Sequence, residues 1–319
     1  DPIPAPWPAK PFEIRVLDAD TRRGVPLVEL ETVHRARWIT DSEGRIAFLE
    51  PGLMGQRVFF QVRSHGYSFP KDGFGYAGTT LLARAGDSAT LTLKRLNIAE
   101  RVRRLTGAGI YRDSVLLGRL PDRPALVLNS SVAGQDSAQA VVYRGSVFVC
   151  WGDTARPSYP LGNFRTTAAT LKLPVPDPWQ PEAFSYRYLE DDDGFTRKMC
   201  PFEPGDGLVW LDGLAVVHGA APAPPPSSPA GERLVAHYSR MRNLGERLEH
   251  GLVLFHDDRG VFERTVHLPD NLAWQFPQGQ STRLALDGED WLLFGTPSPP
   301  VRAPARLETV SNPRAYTAW

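Results

Sequence analysis

Four carboxylates stand where acid–base chemistry would need them. Asp136 and Asp153 flank a tight hairpin signal, Asp212 interrupts the apolar run Leu208–Val217, and Glu249 opens a further apolar segment. Acid–base bond cleavage uses such a set: one protonated carboxyl assists the leaving group, one ionised carboxylate acts as base or nucleophile, and a third acid tunes the first. Asp212 stands out, because a carboxylate among Val209, Trp210, Leu211 and Leu214 needs a partner or a cavity. Three of these acids also have a plainer reading. Asp212-Gly213 is a turn dipeptide that would split its run into a tight hairpin. Asp153 in Gly-Asp-Thr can cap a turn, and Glu249 can be a solvated strand end. The candidate catalytic set is Asp136, Asp153, Asp212 and Glu249, with both readings open.

A second group is suited to gripping hydroxyls or a carboxylate. His237, Tyr238, Arg240 and Arg242 cluster at a strand end, and His250 and Trp151 adjoin the candidate acids. Structural packing of His237 explains its presence equally well. Asp191-Asp192-Asp193-Gly194 has the look of a calcium loop but lacks the remaining ligands of an EF-hand, and a solvated turn is the preferred reading. No cofactor is expected, with a structural calcium as the alternative. His218, His250, His256 and His267 show no zinc-protease spacing, and no metal ligand set is assigned. The sequence has no G-x-S-x-G, P-loop or dinucleotide motif. Cys150 and Cys200 are read as buried free thiols, with a single bridge as the alternative.

The elements that must position these residues are strands. The chain has 319 residues, and its 30 prolines work against long helices. With 36 basic and 36 acidic residues the formal net charge is zero, so no nucleic-acid partner is expected. No apolar run is long enough to span a bilayer, since Asp212 breaks the best one. Residues 1–10 read as a Pro-rich arm. Short alternating segments then follow from Phe12 to Leu93, separated by Gly, Pro and Asp turns, and predict a β-sandwich over residues 11–95. A helix is expected over 96–105, with Ile98, Val102 and Leu105 on one face, as part of a connector over 96–123. The aromatic-rich loop around Phe69, Phe74 and Tyr76 is expected to be largely buried. From Pro124 the hairpin signals become regular. Ala140–Thr154 turns at Arg144-Gly145, Gly207–Val217 pairs with Arg233–Ser239, Glu249–His256 meets Val261–Val266, and Thr282–Leu286 meets Trp291–Phe294. Residues 220–231 are a low-complexity Ala/Pro/Ser insertion read as a hairpin tip. The fold class expected is all-β: a sandwich, one short connecting helix, and a β-propeller-like domain over 124–319.

Two segments carry resemblances. Thr40-Asp41, Gly44-Arg45, Pro51-Gly52 and Gly66-Tyr67 resemble the transthyretin-like, carboxypeptidase-regulatory-type sandwich, an accessory module of secreted proteins. Gly134-Gln-Asp-Ser137 followed by Trp151-Gly-Asp-Thr154 resembles the opening blade of five-bladed propellers related to glycoside hydrolases. That resemblance implies a sugar-binding funnel lined by acids from successive blades, a glycan or polysaccharide partner, and an extracellular or periplasmic location. A non-catalytic extracellular binding or structural protein fits the same features. Only three or four hairpin pairs are identifiable after Pro124, and Asn312–Trp319 reads as having no closing strand. A second polypeptide completing the propeller, or a longer precursor, is therefore also expected.

Overall fold

The computed structural model describes residues 10–101, 109–119, 128–163, 165–173, 186–202, 207–219, 231–269, 279–295 and 301–318. Among them the fold is all-β with two short helices. The chain divides into two compact units, the described residues before Asn129 and those from Asn129 onward.

The first unit has eight strands: β1 (Phe12–Asp18), β2 (Glu29–Thr32), β3 (Arg37–Ile39), β4 (Arg45–Phe48), β5 (Arg57–Arg63), β6 (Tyr67–Ser68), β7 (Gly78–Leu82) and β8 (Ser88–Arg95). They form two four-stranded sheets, β4-β1-β8-β6 and β3-β2-β5-β7. Alternation places Ile14 and Val16, Leu30, Ile46 and Phe48, Val58 and Phe60, and Leu91 and Leu93 in one shared core. Phe48 and Phe60 meet edge to face at 5.2 Å. Each such burial contributes about 1.5–3 kcal/mol.

The Thr40–Arg45 segment is a structural turn. Thr40 Oγ1 donates to Val25 O and accepts from Val28 N–H, both at 2.8 Å. Asp41 Oδ1 accepts from the N–H groups of Glu43 and Arg45. Gly44 lies at φ +73, where a Cβ would come within 2.6 Å of Val16 O and Val25 N. Thr40, Asp41 and Gly44, part of the set that carries the first resemblance, thus close the turn before β4.

The helix expected over 96–105 is absent from its described part, and 102–108 lie outside the described residues. Asn97 to Ala99 are bends, Asn97 Oδ1 accepts from Ala99 N–H, and the Arg95 guanidinium takes the carbonyls of Asn97 and Ile98. Ile98 is fully exposed, so the anticipated apolar face has nothing to pack on here. A five-residue helix, α1 (Arg112–Leu116), forms instead, with Ser114 N–H bonded to Asp41 Oδ2 and Asp113 Oδ1 accepting from Ala47 N–H. The expected burial of the aromatic loop is also corrected. Phe69 packs against the core of its own unit, whereas Phe74 is 92% exposed and Tyr76 56%. Asp72 Oδ1 shapes the loop by accepting from the N–H groups of both Phe74 and Tyr76.

The second unit contains β9 (Gly134–Gln135), β10 (Gln139–Tyr143), β11 (Ser146–Trp151), β12 (Thr154–Arg156), β13 (Tyr159–Asn163), β14 (Thr167–Lys172), β15 (Arg187–Tyr188), β16 (Leu208–His218), β17 (Glu232–Asn243), β18 (Glu246–His256), β19 (Val261–Leu268), β20 (Thr282–Leu286), β21 (Glu289–Phe294), β22 (Val301–Pro304), α2 (Leu307–Val310) and β23 (Thr317–Ala318). Three antiparallel sheets of four strands follow one another in chain order: β10-β11-β14-β15, β16-β17-β18-β19 and β20-β21-β22-β23. A smaller sheet, β13-β12-β9, stands beside them. The strand β17 shows how the stack is made. Leu234, Ala236 and Tyr238 face Phe148, Cys150, Phe255 and Phe262, while Val235 joins Val217, Leu252, Phe294 and Val301 on the other side. The middle sheet is buried on both faces and is therefore apolar at successive positions. Among the described residues no closed barrel or propeller forms.

Two expectations are corrected here. Asp212-Gly213 does not turn the chain: β16 runs through it as one strand paired with β17. Asp212 faces His237 and Ala215 faces Val235, three steps against two, so the dipeptide sits in a β-bulge with Gly213 at φ +58. A tight Asp-Gly turn needs positive φ at both residues, which Asp212 does not adopt. The end of the chain also holds a strand, since Thr317 and Ala318 of β23 pair with Arg302 and Val301 of β22. The insertion at 220–230 and the arm at 1–9 lie outside the described residues.

Candidate functional site

The bulge in β16 leads to a cavity of about 130 Å³ in the second unit, lined by Ser137, Gln139, Cys150, Trp151, Gly152, Thr166, Trp210, Leu211 and Asp212. Asp212 is half-buried, and its Oδ1 accepts from Gly279 N–H at 2.9 Å. Burial pushes its carboxyl above the usual carboxylate range, and the Gly279 hydrogen bond offsets this only in part. Such a carboxyl retains its proton to higher pH than a solvated aspartate and can donate it.

Asp136 and Asp153 stand together at the edge of this cavity, each next in the chain to a lining residue. Asp136 Oδ1 accepts from Asp153 N–H at 3.1 Å, and Gly152 N–H donates to Asp136 O at 2.9 Å. A Cβ on Gly152 would stand 2.8 Å from Asp136 Oδ1, so glycine permits this approach. Asp153 Oδ1 accepts from the Trp210 indole N–H at 3.2 Å. Trp210 and Asp212 are two residues apart on β16, which links Asp153 through the indole to the strand that carries the acid. Three of the four predicted acids thus belong to one region. Asp136 is exposed and Asp153 is half-buried.

Glu249 is placed elsewhere. It lies on β18, where Arg240 of β17 at 3.2 Å and Arg264 of β19 at 3.3 Å pair with it, and it does not line the cavity. The predicted gripping residues are distributed by strand alternation. His237 is buried on the face toward Phe294 and Tyr316, and Tyr238 is buried on the opposite face against Phe202. Arg240 serves Glu249, and Arg242 pairs with Glu246 at the exposed end of the β17–β18 hairpin. His250 is fully buried, two residues from Leu252, the cross-strand neighbour of His237. Trp151 lines the cavity but is 4% exposed, with Tyr186 edge-on to it at 5.2 Å.

The buried histidine has a defined role in packing. Tyr316 Oη donates to Val310 O at 2.9 Å and therefore accepts from His237 Nε2–H at 2.7 Å. Burial, with His250 nearby, pushes the His237 imidazole down to about 3. It is neutral at physiological pH.

The Asp191–Gly194 segment is a turn tied to arginines. Asp191 pairs with Arg197 at 2.9 Å, Asp193 pairs with Arg156 at 3.1 Å, and Asp193 Oδ1 also accepts from Phe195 N–H. Among the described residues no group of three or more His, Cys, Asp or Glu side chains could hold a metal ion. Cys150 and Cys200 are free and buried in one core, and burial raises both thiols.

Sequence reasoning missed Gln139, Gly279 and Ser281. Gln139 bonds backbone groups on both sides of the bulge, and Ser281 Oγ donates to Leu214 O at 2.7 Å. Gln280 Oε1 in turn accepts from Ala140 N–H at 2.8 Å. The first strands of two sheets, and the residues leading into the first strand of the third, therefore converge on Asp212. A glutamine opening an apolar strand was the one available signal. No protein-family model matches the chain, and no curated protein matches it.

Proposed function

We propose that this is a secreted carbohydrate-active protein of glycoside hydrolase-like chemistry, with Asp212 as the proton-donating carboxyl. The observation that carries the reading is a half-buried aspartate, held by one backbone N–H, in the wall of a cavity with Trp210 and near the Asp136–Asp153 pair. Trp210 supplies an aromatic face for a sugar ring, and Ser137, Gln139 and Thr166 supply hydroxyl and amide partners. Asp153, kept in place by the Trp210 indole, is the second carboxyl that acid–base cleavage requires. The successive four-stranded sheets, with β10, β16 and the residues leading into β20 meeting at Asp212, support a propeller reading in which a glycan enters along that convergence. The two sheets of the first unit support the accessory sandwich reading, and both resemblances favour an extracellular or periplasmic location. A second polypeptide that adds further blades belongs to the same proposal. Intact mass of native material and a search for co-purifying chains test that part.

A non-catalytic glycan-binding role is the second reading. It is favoured by the hydrogen bonds that already occupy Asp136 Oδ1 and Asp153 Oδ1. A glycan array combined with reducing-sugar release separates the two. Binding with sugar release that Asp212→Asn abolishes supports the hydrolase. Binding without release supports the binding protein, and no binding to any glycan removes both.

A further inference from the structure

Gln139 is 8% exposed, and both ends of its amide are committed to backbone. Nε2 donates to Leu211 O at 2.8 Å, and Oε1 accepts from Leu214 N–H at 3.0 Å. Those partners fix the amide orientation, because a carbonyl only accepts and an N–H only donates. Leu211 and Leu214 bracket Asp212 and Gly213, where β16 falls out of step with β17. An unbonded buried backbone group would be costly there, and Gln139 supplies the missing acceptor and donor from β10. Gly279 and Ser281 hold the opposite side: Gly213 N–H donates to Gly279 O at 2.8 Å, and Ser281 Oγ takes Leu214 O.

We propose that Gln139 is a positioning residue, whose amide clamps the backbone on both sides of the β16 bulge and so holds the Asp212 carboxyl in the cavity wall. This deepens the proposed function and rests on Asp212 being the acid of that site. The side chain also lines the cavity beside Asp212, so a ligand that reaches the carboxyl meets a wall fixed by the same clamp. A merely structural glutamine would affect folding alone. A clamp affects the environment of one carboxyl in a protein that remains folded.

The test is NMR on the full chain. The carboxyl carbon of Asp212 is titrated in the wild type and in Gln139→Leu, with assignment from the signal lost in Asp212→Asn. The proposal expects the Asp212 midpoint in Gln139→Leu to move down toward the ordinary carboxylate range, as the freed bulge lets water reach the carboxyl. An unchanged midpoint in folded Gln139→Leu overturns it. Should that variant not fold, Gln139→Glu decides. Its protonated carboxyl can donate to Leu211 O and accept from Leu214 N–H as the amide does, whereas the ionised form loses the donor. The Trp210 indole and Leu214 amide resonances are expected at wild-type positions in acid and displaced at neutral pH. The same resonances at both pH values, or no folding at either, contradict the clamp. Wild-type protein that binds no glycan, with the Asp212 shift intact, removes the glycan reading and leaves the clamp. Glycan binding with no such shift removes only the clamp.

Discussion

The backbone N–H of Gly279 donates to Asp212 Oδ1 at 2.9 Å, joining the approach to β20 to the bulge of β16. One neutral donor does not compensate a half-buried carboxylate for lost water, so the proton is retained more strongly than in the unfolded chain. Between the unfolded-state value and the higher folded-state value, the folded protein binds more protons. Its stability therefore falls as pH rises through that window and is level above it. Asp212→Asn removes this titration and keeps an acceptor for Gly279. The variant is expected to be more stable than wild type at neutral pH by about 0.5–2 kcal/mol, with loss of any glycan cleavage. Urea unfolding at several pH values checks this, and a less stable variant at neutral pH speaks against the assignment.

His237 shows the opposite dependence. Its imidazole stays neutral in the fold until about pH 3, while the unfolded chain takes up the proton near 6.5. The stability tied to neutral His237 is full above 6.5 and is lost as pH falls toward 3. Tyr316→Phe removes the hydroxyl that accepts from His237 Nε2–H and is expected to cost about 1–3 kcal/mol. Thermal unfolding of the two proteins at neutral pH measures the difference, and equal melting temperatures would contradict the hydrogen-bond geometry.

Glu249→Gln is expected to leave glycan binding within about twofold of wild type, because its partners are Arg240 and Arg264 and it does not line the cavity. A loss of glycan binding of about tenfold or more would place the site on the wrong part of the middle sheet.

Gly44→Ala in the first unit puts a Cβ within 2.6 Å of backbone atoms on two segments, at a φ that L residues rarely adopt. A cost above about 2 kcal/mol is expected, measured as an earlier unfolding transition of that unit in the full chain. Wild-type stability would show that the turn can rearrange.

The thiols of Cys150 and Cys200 are buried and held protonated by that burial. Neither is expected to react with iodoacetamide at neutral pH until the protein is unfolded. Fast native labelling of Cys150 would mean that the cavity it lines is open to solvent at that wall.

The hairpins were legible because local signals decide them. Arg144-Gly145 and Asp287-Gly288 adopt positive φ at both residues, the conformation their strands need, and each turn falls between the two short apolar runs that pair, although β21 starts two residues before the expected Trp291. Asp212-Gly213 has the same chemistry and a different outcome. The left-handed glycine serves a bulge there, and the choice is made by Gln139, 73 positions earlier in the numbering (212 minus 139), and by Gly279. The described part of the helix expected over 96–105, residues 96–101, is not helical for a related reason. Periodicity can mark an apolar face, but it does not supply the surface that buries it, and Ile98 remains exposed. His237 and Tyr238 are neighbours in sequence, yet strand alternation sends them to opposite faces of one sheet. A cluster of polar residues in the sequence became separate packing contacts, while Asp136, Asp153 and Asp212 came to one region with Trp151.

The most direct measurement is an NMR titration of isotope-labelled full chain with the glycan that binds best on the array. The proposed site predicts that the Trp210 indole N–H and the Asp212 carboxyl carbon shift first and saturate together, and that Asp212→Asn retains a folded spectrum while its glycan cleavage is lost. Shifts confined to the Arg240–Glu249 pair or the Asp191–Asp193 turn, with the Trp210 and Asp212 signals unmoved, would contradict it.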